Sequence, residues 1–184
     1  MQRAYDTVFL VGSLERAIPL ASGHGFAAAA ELPLARDLAL VLTAASYTAA
    51  DAPVSCAHSV RAVVLNIVEL FGPSVGDVQI RTDIEAVTLP AFKARALLLL
   101  AHHLVVNALR RGLRGDRGGQ ISVTLRRVRG TAASLVVADT GSGVFDKRPG
   151  PPRLTWDLAS LLEVEPTFYA GYGGGLTIKV EFPT

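Results

Sequence analysis

Cysteine is almost absent from this chain, which has Cys56 as the single one among its 184 residues. One thiol cannot close a disulfide within the chain, and it cannot supply the several sulfur ligands of a structural zinc site. Both kinds of stabilisation are therefore excluded. A protein that needs no disulfide suits a reducing compartment, so we expect it in the cytoplasm.

Long apolar runs are also missing. Long uncharged stretches such as residues 17–30 and 38–50 are shorter than the roughly 20 residues that a membrane-spanning helix needs. Pro19, Gly23 and Gly25 interrupt the first of them. The first residues also lack the basic segment, apolar core and cleavage site of a secretory signal. The sequence therefore predicts no membrane span and no signal peptide.

Charge of either sign is sparse as well. Only 18% of the residues are charged and the formal net charge is +2, whereas 50% are hydrophobic. This composition predicts a folded chain with a substantial core, and so small a net charge does not by itself imply a polyanionic partner. Arginines cluster within residues 110–117 and 126–129, which leaves nucleic-acid binding open. No aromatic platform or recognition-helix pattern accompanies them, so we do not expect a nucleic-acid partner.

The chain before Phe71 is rich in alanine and has helical periodicity. Two helical stretches, at about residues 3–20 and 26–50, are separated by the glycine turn at residues 22–25, which predicts a helical hairpin. A third helix is expected after Pro53. Its apolar residues recur at helical spacing: Val60, Val63, Val64, Ile67, Val68 and Phe71.

The chain after Phe71 mixes strands and helices. Short strands are predicted at residues 78–82 and 87–89, and Pro90 begins a long helix that continues to about Arg111. Strands at residues 121–125 and 135–138 are expected to pair as a hairpin, followed by a short helix at residues 154–162. A last hairpin joins residues 167–169 to 176–182 around a glycine-rich turn. This order predicts an α+β fold, a two-layer sandwich with helices on one face of a mixed sheet.

Two polar features point to a ligand. Asp139 follows an apolar strand and begins an Asp-x-Gly-x-Gly turn with Gly141 and Gly143. An acid at a strand end can recognise a purine edge, and glycines let a ligand approach the main chain closely. Asn107 lies near the end of the long helix. Taken alone, such a turn is more often a plain turn, and a helix asparagine is usually a surface residue.

Three blocks together, residues 99–111, 139–143 and 173–183, carry a resemblance. In this order and spacing they resemble the ATP-binding domain shared by sensor histidine kinases, gyrase, the Hsp90 chaperone and MutL. Within that family the chain looks most like histidine kinases with a His-Arg-x-x-Asn acceptor box. The resemblance implies a hairpin that dimerises into a four-helix bundle, with residues 1–72 as a dimerisation and phosphotransfer-like region and 73–184 as the ATP-binding domain. It also implies a homodimer and a response-regulator receiver domain as partner.

The resemblance also assigns roles to residues. Asn107 would ligate the magnesium ion that accompanies ATP, Asp139 would accept the adenine amino group, and Gly141 and Gly143 would let the main chain pass close to the base. Mg²⁺ favours oxygen donors, which an asparagine carbonyl provides.

Two basic residues at the end of the long helix are further candidates for the nucleotide site. Arg110 or Arg111 would replace the family's phosphate-contacting lysine. The alternative for both arginines is a solvated basic helix end.

His103 departs from the family pattern. It stands one helical turn before Asn107, where the family usually carries an acid or an amide. Residues i and i+4 share a helix face, so His103 and Asn107 are expected to point into the same space, with His102 rotated about 100° away. A neutral imidazole there could hydrogen-bond a bound water, and His103 is our candidate catalytic residue. The alternative is a helix histidine at a domain seam.

Residues 144–156 depart as well. The family carries a flexible lid and a second glycine motif at this place. Here the segment is rich in proline and lacks Gly-x-Gly. Proline has no main-chain N–H, so it removes donors that would hold phosphate. Trp156 lies in the same segment, and its alternative role is to pack a short helix onto the sheet.

The acceptor histidine is not evident either. Gln2 stands where the acceptor box would place it, and an amide nitrogen is not nucleophilic. His24 and His58 are the remaining candidates for the phosphorylated histidine. The alternative for each is an ordinary surface histidine.

Two hypotheses follow. The chain is a degenerate histidine kinase core that acts as a dimeric adaptor, phosphotransfer or phosphatase-like partner of a response regulator. Alternatively, it is an active ATP-dependent protein kinase of the histidine type or of the anti-sigma-factor serine type. The missing acceptor and glycine motif favour the first hypothesis, and the presence of Asn107 and Asp139 favours the second.

Overall fold

A computed structural model describes residues 52–71, 78–109, 113, 119–141, 153–171 and 174–184. The predicted helical hairpin of residues 3–50 lies outside the described residues, so it stays a prediction, as does the dimer that it implies. The division of the chain at residue 72 is likewise a prediction.

The described residues form an α+β arrangement, as the sequence predicts. The helices and strands follow one another along the chain in this order: β1 Pro53–Ser55, α1 Ala57–Phe71, β2 Val78–Ile84, β3 Thr88–Pro90, α2 Ala91–Asn107, β4 Gly119–Arg127, β5 Ala132–Asp139, α3 Arg153–Ser160, β6 Thr167–Ala170 and β7 Leu176–Pro183.

Five strands form one mixed sheet in the order β2-β4-β5-β7-β6. Strand β2 runs parallel to β4, and the remaining neighbours are antiparallel. Two of the antiparallel pairs, β4 with β5 and β6 with β7, are the hairpins that the sequence predicts. Alternate residues of the three central strands are buried on the face that the helices cover: Ile121, Val123, Leu125, Ala133, Leu135, Val137, Ile178, Val180 and Phe182.

Helix α2 is the central helix of the core. Alanine and leucine predominate in its first three turns, and both residues have high helix propensity. Pro90 precedes the first turn, where its missing N–H costs no hydrogen bond. The helix is buried over most of its circumference because it packs against α1, α3 and strand β5.

A separate two-stranded sheet joins the beginnings of α1 and α2. Strand β1 pairs with β3 in antiparallel register, with Pro53 opposite Pro90. Cys56 follows β1, and its main-chain N–H donates to the carbonyl of Val87 at 2.9 Å. The thiol is buried, and desolvation raises its pKa to about 11, so it is not nucleophilic at neutral pH. Cys56 therefore serves packing.

Helix α1 contributes to the same core as the sheet. Its buried residues Val60, Val64 and Ile67 are fully enclosed and belong to one apolar cluster with α2 and the central strands. The helical spacing of these residues in the sequence is thus explained by packing against α2.

Candidate functional site

The C-terminal part of α2 carries the predicted pair His103 and Asn107. The Asn107 side-chain nitrogen Nδ2 lies 2.9 Å from Nε2 of His103. The two side chains therefore share a face, as the sequence predicts. The amide N–H donates to an unprotonated Nε2, which places the imidazole proton on Nδ1. Both side chains are partly buried.

Thr155 of α3 completes this group and was not anticipated from the sequence. Its hydroxyl oxygen lies 3.1 Å from Nε2 of His103, and the residue is fully buried. Thr155 shares one helix face with the buried residues Leu158 and Ala159. A hydroxyl on an apolar helix face requires a hydrogen-bond partner when it is buried. That is the sequence signal by which Thr155 could have been found.

Asp139 ends strand β5 on its helix-facing side. The main-chain N–H of Gly141 donates to Oδ1 of Asp139 at 2.9 Å, and the N–H of Leu176 also donates to the carboxylate. Burial raises the pKa of Asp139, and the two main-chain hydrogen bonds oppose that shift. The carboxylate is thus oriented by the main chain of Gly141, just after β5, and of Leu176, the first residue of β7, while lone pairs remain for a further donor.

The glycine-rich turn between β6 and β7 touches the same strand end. The N–H of Gly171 donates to the carbonyl of Gly175 at 3.2 Å, which confirms the predicted hairpin turn. Gly175 has φ 84°, and a β-carbon there would overlap the carbonyl oxygen of Asp139. The glycine is therefore needed for two reasons, its left-handed conformation and its close approach to the strand that carries Asp139.

His102 lies on a different side of α2 from His103, as predicted. Burial lowers its pKa to about 4, so it is neutral at physiological pH. Its Nε2 atom has no hydrogen-bond partner among the described residues. His102 takes no part in the group formed by His103, Asn107 and Thr155.

Trp156 lies on α3, beside Thr155. Its ring centroid is 5.7 Å from that of Phe168 on β6, and it is 39% exposed. This contact agrees with the alternative that the sequence offered for Trp156, in which the side chain packs a short helix onto the sheet.

Three predicted site residues lie outside the described residues. They are Arg110, Arg111 and Gly143, and the roles that the resemblance gives them stay predictions. Within the described ranges, no group of three or more His, Cys, Asp and Glu side chains is placed to hold a metal ion. None of the helices in the described part of the chain has the length and apolar character that crossing a bilayer requires.

Solved structures share this arrangement. The histidine kinase domain of a blue-light activated histidine kinase from Erythrobacter litoralis superposes with a TM-score of 0.75 at 17% identity, over 94% of this chain and 87% of that one. The chain has the histidine kinase-like ATPase fold. A longer structure of that kinase matches with a TM-score of 0.61 at 18% identity, over 84% of this chain and 46% of its own length.

A structure from a second organism supports the same fold. The ATP-binding domain of PrrB from Mycobacterium tuberculosis matches with a TM-score of 0.51 at 20% identity, over 73% of this chain and 98% of that one. No protein-family profile matches the chain, and no curated protein sequence does.

Proposed function

We propose that this chain is a two-component signalling protein that has kept the histidine kinase core fold without its kinase activity. In this proposal it is a cytoplasmic homodimer that acts on a response-regulator receiver domain as an adaptor, phosphotransfer or phosphatase-like partner. The known structures of this fold include histidine kinases, which motivates the signalling context.

The observation that carries the proposal is the contact between Asn107 and His103. In the resemblance, Asn107 reaches a magnesium ion beside the phosphates. Here its amide is bonded to His103, and His103 is bonded in turn to Thr155. Both contacts meet at the same imidazole nitrogen of His103, and none of the three side chains is a carboxylate, which supports a role other than phosphoryl transfer from ATP.

Phosphotransfer through the chain would need an accessible histidine. His58 is exposed on the first turn of α1, and a neutral imidazole is a competent nucleophile. His24 lies outside the described residues. Gln2, which aligns with the acceptor position, cannot take a phosphoryl group.

The alternative is an active kinase that uses ATP and Mg²⁺. It is favoured by Asp139, whose carboxylate is buried and oriented by the N–H groups of Gly141 and Leu176. Such an acceptor suits an exocyclic amino group of a purine. This alternative predicts that Asp139→Asn abolishes nucleotide binding.

Radiolabelled phosphate separates the two functions. The purified full chain is incubated either with γ-labelled ATP and Mg²⁺ or with receiver domains pre-labelled by acetyl phosphate. Our proposal predicts no label from ATP and, on the phosphotransfer route, acid-labile label from a receiver that disappears in His58→Gln or His24→Gln. Faster loss of receiver label without labelling of this chain would indicate the phosphatase-like route. Label from ATP that is lost in Asp139→Asn would overturn the proposal and establish the kinase. Light scattering measures whether the chain is a dimer.

A further inference from the structure

Strand β6 is an edge strand of the five-stranded sheet. It lies last in the strand order and pairs only with β7 among the described strands. Thr167, Tyr169 and Ala170 of this strand are exposed. An edge strand carries main-chain N–H and C=O groups that no neighbouring strand uses, and a further extended segment can pair with them. The register of β6 determines which of these groups point outward.

The turn that follows β6 fixes this register. The N–H of Gly171 donates to the carbonyl of Gly175 at 3.2 Å. Opposite residues of an antiparallel pair alternate between exchanging main-chain hydrogen bonds and exchanging none. The next pair, Ala170 with Leu176, therefore exchanges none, and the N–H of Leu176 donates instead to Asp139 on the other side of β7. The N–H and C=O groups of Ala170 thus face the free edge.

Aromatic side chains adjoin this edge. Phe168 lies two residues before Ala170, so its main-chain groups point outward as well. Its ring lies on the helix-covered side of the sheet because it stands opposite the buried Ile178. The ring centroid of Trp156 is 5.7 Å from that of Phe168, and Trp156 is 39% exposed. Tyr169 lies on the other side of the strand and is 53% exposed. A strand added here would place an apolar side chain beside Trp156.

The opposite edge of the sheet has a different composition. Strand β2 carries the exposed charged residues Arg81 and Asp83, and charged side chains on an edge strand discourage pairing with another chain. None of the four residues of β6 is charged or proline, and two of them are aromatic. The composition of β6 therefore permits pairing, whereas that of β2 opposes it.

The chain just before β6 is acidic. Glu165 lies two residues before the strand, is exposed, and has no hydrogen bond or ion pair within the described part of the chain. Glu163 is exposed as well, but its carboxylate pairs with Nζ of Lys93 at 2.8 Å. Opposite charges on adjacent strands stabilise their pairing. A basic residue at one end of an added segment would therefore complement Glu165.

We propose that the free edge of β6 binds a short extended segment of a partner protein, which adds a strand to the sheet. The segment pairs with the main-chain groups of Phe168 and Ala170, places an apolar side chain against Trp156 and carries a lysine or arginine beside Glu165. The outward main-chain groups select an extended chain, because a helix uses its own N–H and C=O groups internally. The inference does not rest on the proposed function, since strand addition requires neither nucleotide nor phosphate.

A phage-displayed library of random peptides, selected against the purified full chain, provides the probe. We expect enriched peptides in which apolar residues alternate with polar ones and a lysine or arginine lies at one end. The most enriched peptide is synthesised with a fluorophore, and its binding is measured by fluorescence anisotropy. Two further versions carry N-methyl groups on the odd or on the even residues. Because alternate N–H groups of a strand point to the same side, one version should keep the affinity of the parent peptide and the other should lose it.

Variants of the chain test the strand edge from the other side. Ala170→Pro removes an outward N–H and leaves the hydrogen bonds with β7 in place, because proline is tolerated on edge strands. The peptide should bind at least about fivefold more weakly to this variant, whereas Ala170→Ser keeps the N–H and should stay within about twofold of the wild type. Glu165→Gln should weaken binding about two- to threefold. Gln79→Lys makes the same change of net charge on the exposed side of β2 and should leave the affinity unchanged.

Equal retention or equal loss of binding by the two N-methylated peptides would overturn the inference, as would a failure to enrich any peptide or an affinity that Ala170→Pro does not change. The competing occupant is β6 of a second copy of the chain. A mass by light scattering that falls by half in Ala170→Pro would indicate that second copy and overturn the inference, whereas an unchanged mass agrees with it. The N-methylated peptides and Glu165→Gln leave the main chain of the protein unchanged, so they decide the question even if Ala170→Pro does not fold.

Discussion

Gly175→Ala is the substitution that the structure constrains most sharply. At φ 84° a residue with a β-carbon is disfavoured by about 1–2 kcal/mol. The new methyl group would also overlap the carbonyl oxygen of Asp139, which is main chain and cannot rotate away. Forcing extra volume into a packed position adds about 1–3 kcal/mol. The free energy of unfolding should therefore fall by about 2–5 kcal/mol, and Tm by roughly 5–15 °C for a chain of this size.

Gly130→Ala is the matched control. Gly130 has φ 79° in the turn between β4 and β5, and an added β-carbon there would meet no atom within 4 Å. It should lose only the left-handed conformation, about 1–2 kcal/mol. Urea unfolding followed by the fluorescence of Trp156, the single tryptophan, measures both variants. Destabilisation by Gly175→Ala that equals that of Gly130→Ala within about 0.5 kcal/mol would refute the close approach of the turn to strand β5.

Three further predictions concern charge and strain. Glu163→Ala removes the ion pair with Lys93 and should lower the unfolding free energy by up to about 1 kcal/mol. Glu163→Gly removes the same ion pair but should be about 1 kcal/mol more stable than the alanine variant, because Glu163 has φ 64°. Equal urea midpoints for the two variants would contradict this. Burial raises the pKa of Asp139, so the stability that its protonated form provides is present below the unfolded pKa of about 3.9 and is lost as the pH rises through the folded pKa. Asp139→Asn should therefore have a higher Tm than the wild type at pH 7 but not below about pH 4, and a lower Tm at pH 7 would argue against a desolvated carboxylate. Burial lowers the pKa of His102 to about 4, so the free energy of unfolding falls as the pH drops below the unfolded pKa of about 6.5, by about 2 kcal/mol at pH 5. His102→Leu should make the unfolding free energy less dependent on pH between pH 7 and pH 5. An unchanged pH dependence in this variant would count against the burial of His102.

Local pattern was sufficient to predict most elements. The apolar residues from Val60 to Ile67 recur at helical spacing, and those of β4 alternate with polar residues. Both patterns arise because one side of each element is buried, so the period of the apolar residues predicts the type of element. Glycine and proline mark most of the boundaries, for example Pro90 before α2. Pairing within the hairpins follows because short connections leave few other partners.

Contacts between distant segments could not be predicted in this way. Strand alternation tells which face is buried but not which strand lies alongside, so the parallel pairing of β2 with β4 and the position of β7 between β5 and β6 are not encoded in any local window. The same limit applies to the site. His103 and Asn107 are one turn apart and were predicted to share a face, whereas Thr155 is 52 positions from His103 and its contribution depends on how α3 packs.

Asp139 and Asn107 differ in how strongly their contacts depend on the identity of the neighbouring residues. At Asp139, the main-chain N–H groups of Gly141 and Leu176 orient the carboxylate, and at Gly175 the close approach to the Asp139 carbonyl excludes a residue with a β-carbon. Most substitutions nearby preserve such groups because every residue other than proline carries an N–H. At Asn107, the arrangement depends on side-chain identity, because the amide contacts the imidazole of His103, which also contacts the hydroxyl of Thr155. One substitution at Asn107, His103 or Thr155 is therefore enough to remove these side-chain contacts, whereas the main-chain hydrogen bonds that orient the Asp139 carboxylate survive most substitutions at neighbouring positions.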